Sequence, residues 1–139
     1  FEYAIKYLDI SIEMCQYLYE RSDGETKMIQ QILHLLYIQK EKEITKEEID
    51  TVIKEIINSK DSSYKLLFDT LGNNQKIALK IVGIYKSGVF ASSILTQYNI
   101  KKQTLQSSID TLLKKELIDK EDDRYFIPDR TFELWVEGL

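Results

Sequence analysis

The stretch NIKKQTLQSSID, residues 99–110, collects side chains suited to one chemistry, the recognition of a nucleic acid. Lys101 and Lys102 can bind phosphate or guanine, and Gln103 and Gln106 can pair with adenine. Ser107 and Asp110 share the outward face they would occupy if this stretch were a helix whose core face takes Leu105, Ile109 and Leu112. The segment that follows pulls the other way. Its tip, Glu121-Asp122-Asp123-Arg124, is mostly acidic, and residues 88–139 carry seven basic against nine acidic side chains, a net of −2. Affinity for DNA comes largely from phosphate neutralisation, so an acidic tip opposes it.

Other chemistries find little support. The single His34 sits among Ile32, Leu33, Leu35 and Leu36 with no second His or Cys at metal spacing, and is read as structural. Cys15, the only cysteine, has no basic cluster beside it and is read as a small core residue; alone, it can form no intramolecular disulfide. Glu47, Glu48 and Asp50 are read as a solvated first helical turn. With one His, no Ser/His/Asp arrangement can be argued, and no carboxylate pair is placed for acid–base work.

The elements that must position these residues are mostly helices. Ser11 can cap a helix that carries Ile12, Cys15, Leu18 and Tyr19 on one face, and Gly24 suits the left-handed position after it. Thr26 is expected to cap a second helix with the stripe Met28, Ile29, Ile32, Leu33, Leu36 and Tyr37. Thr45 and Glu48 make a capping box before Ile49, Val52, Ile53 and Ile56. Residues 1–8 read as a short leading helix. The polar run NSKDSS, 58–63, is the expected linker. Beyond it come a helix at YKLLFDTL, a break at GNN (72–74), a helix ending near Gly88, and a short helix capped by Ser92 or Ser93. Asn99 reads as a turn, 102–116 as the next helix, LIDKE and RYFIP as two strands, and RTFELWVEGL as a closing helix. Three helices and a hairpin are the winged helix-turn-helix pattern, with 89–116 as the helix-turn-helix and 117–128 as the wing. The fold class is therefore mainly α, a helical unit at 1–60 followed by a winged-helix domain at 61–139.

A chain of 139 residues, 43% hydrophobic and 30% charged with one Pro, suits one sizeable core or two small ones. The net charge of −4 gives nucleic acid no global attraction. No apolar run approaches the ~20 residues that span a bilayer, so no membrane partner is expected. The chain opens FEYAIKYLDIS, without Met or a signal-peptide pattern, and is expected to be a cytoplasmic piece of a longer protein.

Three stretches carry a family likeness: ISIEMCQYLYERSDGETKMIQQILHLLY, LFDTLGNNQKIALKIVGIYKSG and LLKKELIDKEDDRYFIPDRTFELWV. In their order they resemble the C-terminal half of archaeal-type AAA+ ATPases, relatives of the origin-recognition ATPases. The first is similar to the helical lid, the second to the link and first helix of the appended winged helix, and the third to its wing and closing segment. The resemblance implies a nucleotide-binding core before residue 1, with ATP and Mg bound there, and none in this chain, which has no G-x-x-x-x-G-K-[ST] loop. It also implies no ATPase activity for this chain alone. The turn Gly24-Glu25-Thr26-Lys27 is similar to the family's Gly-x-x-Arg turn. Lys27 would then be the lid's sensor for the nucleotide phosphates, although Lys lacks the bidentate fork of Arg.

Two functions stay open. One is duplex DNA binding through Lys101, Lys102, Gln103, Gln106 and Ser107. The other is docking onto the chain's own ATPase core, a neighbouring copy in a homo-oligomer, or another protein. A stand-alone transcription regulator would need a dimer interface, and nothing in the sequence singles one out.

Overall fold

The structure, a computed structural model, describes residues 8–39 and 43–139. The leading helix expected at 1–8 falls almost wholly outside them; Leu8 itself is buried and not helical. The chain divides into two compact units, Phe1–Lys60 and Asp61–Leu139.

The first unit holds α1 (Ile12–Arg21), α2 (Thr26–Ile38) and α3 (Lys46–Ser59). Ser11 Oγ accepts from the Met14 amide at 3.2 Å and Thr45 Oγ1 from the Glu48 amide at 3.3 Å, so both N-caps form; of the capping box expected at Thr45 and Glu48, only this Thr45 half is made among the described residues. Thr26 does not cap α2; it is the first helical residue, and Glu25 holds the cap position without a side-chain bond. The core is Leu18, Met28, Ile32, Ile49, Val52 and Ile53, each essentially without exposure. The face expected for α1 is rotated. Cys15 and Leu18 point inward, whereas Ile12 is 75% exposed and Tyr19 is also outside. Tyr19 instead covers Gly24, which turns left-handed (φ 71°); a Cβ there would meet the Tyr19 ring at 2.9 Å. On α2 only Met28, Ile32 and Leu36 of the expected stripe are buried, and Tyr37 stands in solvent.

The second unit holds α4 (Asp61–Asp69), α5 (Asn73–Ile84), α6 (Ser92–Gln97), α7 (Lys102–Lys114), β1 (Asp119–Glu121), β2 (Arg124–Phe126) and α8 (Arg130–Glu137). The polar run 58–63 is not a loop: Lys60 is the one residue between α3 and α4, because Ser and Asp at a helix start are tolerated as well as at a turn. Helix α5 is the hub. Ala78, Leu79, Ile81 and Val82 are buried along it, and it packs against α7 on one side and α8 on the other. Gly83 permits the second approach, since a Cβ there would come within 2.9 Å of Val136 Cγ1. The helix ends at Ile84 rather than near Gly88, because Tyr85 is already extended (ψ 119°). Neither Ser92 nor Ser93 caps α6; the cap residue is Ala91. Asn99 makes the expected turn with φ 49°, and Leu105, Ile109 and Leu112 are fully buried. Burial of each such side chain stabilises by about 1.5–3 kcal/mol. Helix α7 stops at Lys114, and Glu116 takes the left-handed position (φ 60°) while the Leu117 amide reaches the Leu112 carbonyl at 3.1 Å. The hairpin is shorter than expected from LIDKE and RYFIP. Its antiparallel pairs are Asp119 with Phe126, Lys120 with Tyr125 and Glu121 with Arg124.

Candidate nucleic-acid interface

Helix α7 begins after the turn at Asn99, and its burial pattern fixes what the first two turns show to solvent. Leu105 and Ile109 anchor one face, so Lys102, Gln103 and Ser107 are exposed, as is Lys101 at the cap position. Lys101 makes no side-chain cap, since an ammonium can only donate and the first-turn amides need an acceptor. Gln106 is half-buried, and its amide donates to Asp110 Oδ1 at 3.0 Å. That bond engages both a would-be base reader and an acid on the same helix. Among the described residues Lys101 and Lys102 form no ion pair.

Gln103 and Ser107 lie on the flank facing the start of α5. With Gly72, Asn73, Asn74, Gln75, Thr104, Ser108 and Thr111 they line an open cleft of about 470 Å³. Every lining residue is uncharged. Lys115 reaches its edge, with Nζ 3.5 Å from Gln75 Oε1.

Lys102 leans to the other flank. Its Nζ stands 6.0 Å from the Phe90 ring centre. Phe90 meets Tyr125 of β2 edge to face, centroids 6.4 Å apart, and Lys120 of β1 sits 5.2 Å over the Tyr125 ring. Two cations from separate elements are thus joined through one aromatic pair. Sequence reasoning missed Lys120. The signal that could have found it is its cross-strand pairing with Tyr125, which requires the hairpin register. The acidic tip is where the sequence places it, with Asp122 left-handed (φ 55°) at the turn.

Lys27 lies in the other unit, exposed, as the second residue of α2, and makes no hydrogen bond or ion pair among the described residues. His34 is exposed on α2 beside Glu55 and Lys60 in a shallow depression. Burial pushes the Cys15 thiol up, which makes it a poor nucleophile. The Tyr17 phenol is pushed up chiefly by its hydrogen bond to Asp50. Among the described residues no group of His, Cys, Asp and Glu is gathered for a metal, and no helix is long and apolar enough to cross a membrane.

A family model described as a probable winged helix domain matches residues 62–138, more than half of the chain. No curated protein and no solved structure matches the chain.

Proposed function

The chain belongs to the probable winged helix domain family over residues 62–138, and from that premise we propose that its second unit contacts duplex DNA through the start of α7. The observation that supports this reading is the exposure of Lys101, Lys102, Gln103 and Ser107 on one helix start, with both lysines free of ion pairs among the described residues. Lys101 and Lys102 neutralise phosphates, and Gln103 reads a base edge. Gln106 can do so only by releasing Asp110. Residues 61–139 carry eleven basic and eleven acidic side chains, so attraction is local and binding is weak.

The test is a fluorescence-anisotropy titration of the chain against duplex DNA at two salt concentrations. Replacing Lys101 and Lys102 together with Ala should weaken binding roughly tenfold at low salt and lower the salt slope by about two. Replacing Asp122 and Asp123 with Asn should strengthen it. If neither variant moves the affinity, the helix start is not the contact surface. A docking role is favoured by one observation, the 72% exposure of Leu66 on α4, next to the partly exposed Leu67. Absence of any salt-dependent DNA binding would leave docking as the better account.

In the same reading the chain is the lid and winged helix of a cytoplasmic AAA+ ATPase. The parent binds ATP and Mg in a core this chain does not contain, and the chain alone does not hydrolyse ATP. Its first partner is that core, and the parent assembles as a homo-oligomer. Lys27 is the lid's phosphate sensor. A cation in the first turn of α2 gains nothing from the helix dipole, and a phosphate brought there would be favoured by both the lysine and the dipole. In the parent enzyme Lys27→Ala should slow hydrolysis about tenfold or more with the circular-dichroism spectrum unchanged. Turnover at the parent rate would remove Lys27 from the site.

A further inference from the structure

The hairpin has two chemically different faces. Side chains alternate along a strand, and directly paired residues share a face. Tyr125 is buried against Phe90, so its side of the hairpin is turned toward the body of the unit and the start of α7. Lys120, its register partner, is on that side. The pairs Asp119 with Phe126 and Glu121 with Arg124 are therefore on the other side. The Arg124 guanidinium lies 5.7 Å over the Phe126 ring, as expected for two residues of the outer face. Two of the wing's acids, Asp119 and Glu121, are thus on the face away from Phe90, and Lys120 is on the face that packs toward it.

We propose that Lys102 and Lys120 form a two-point clamp on one stretch of phosphodiester backbone, positioned by Phe90 and Tyr125 between them. The proposal rests on the DNA-binding reading and adds a contact to it. The clamp is complementary in charge because neither lysine has an acid partner among the described residues. Phe90, in the turn before α6, meets Tyr125 of the wing edge to face and has Lys102 Nζ 6.0 Å from its ring centre, so the two ammonium groups flank one aromatic pair. Arg124, although nearer the tip in sequence, is on the wrong face to join them.

Three single variants of the whole chain test this by anisotropy against a duplex across a salt series: Lys102→Gln, Lys120→Gln and Arg124→Gln. Lys102→Gln and Lys120→Gln should each weaken binding about three- to tenfold at low salt and lower the salt slope by about one. Arg124→Gln should leave both unchanged. All three side chains are exposed, and an unchanged circular-dichroism spectrum checks each fold. If Lys120→Gln keeps the parent slope while Lys102→Gln loses it, the clamp is overturned and the DNA reading stands. If Arg124→Gln falls as far as Lys120→Gln, the wing acts by overall charge and the face-specific pair is overturned. If the parent chain shows no salt-dependent binding, both readings fall.

Discussion

Trp135→Ala should remove about 3–5 kcal/mol from the second unit. Trp135, 7% exposed, stacks on Phe132 with centroids 5.9 Å apart and meets Tyr64 and Phe68 of α4, each at 5.7 Å. Its Nε1 donates to Asp61 Oδ1 at 2.9 Å. Helix α4 has no fully buried residue of its own, and these aromatic contacts join it to α8 while Lys76 and Lys80 of α5 lie over the Phe68 ring. A loss of that size is a large share of the 5–15 kcal/mol typical of a domain. Urea unfolding followed by far-ultraviolet circular dichroism should show a lowered midpoint and a smaller helical signal before the transition. Trp135→Phe keeps most of the packing and loses the Asp61 bond, so it should cost only about 1 kcal/mol. An unchanged midpoint for Trp135→Ala would mean that α4 does not depend on this cluster.

Glu133→Ala should cost about 2–3 kcal/mol. The carboxylate is 8% exposed and accepts from Lys86 Nζ at 3.0 Å and from Arg130 Nη1. It ties the residue just past α5 to the first turns of α8. Removing it takes a counter-charge from Arg130, whose side chain is 14% exposed. The figure is set below the usual cost of breaking a buried pair because Lys86 is half in solvent and keeps Glu137 at 3.3 Å. Thermal unfolding of the two proteins at low and moderate salt is the check. A midpoint equal to that of the parent chain would show that the apolar packing of α8 secures it without these ion pairs.

The core of this unit was legible in the sequence because a helix repeats its inward positions every three or four residues. Leu105, Ile109 and Leu112 declare the buried face of α7, and the outward exposure of Lys102, Gln103 and Ser107 follows from it. Helix ends were less legible. Ser92 and Thr26 are good cap types, yet the neighbours Ala91 and Glu25 hold those positions. Cap chemistry contributes about 1 kcal/mol, and packing of the helix behind it decides where the first turn starts. The buried face of α1 departs from its sequence periodicity for a similar reason. Tyr19 has a place to lie, over Gly24, that periodicity does not see. The wing was legible as a charge total and not as a surface. Its three-residue strands sort Lys120 from Asp119 and Glu121 only once the register with Tyr125 is known. A long-range ring contact, Phe90 with Tyr125, then joins Lys120 to Lys102.

The central claim, that the start of α7 meets duplex DNA, is tested most directly by amide chemical shifts of the ¹⁵N-labelled chain titrated with a short duplex at low salt. The account expects the largest shifts at residues 101–107, with a second group at Lys120 and its strand partner Tyr125. The shifts should shrink as salt rises, because phosphate contacts release counterions. Shifts confined to α4 around Leu66 and Leu67, or no shifts at any duplex concentration, would contradict it.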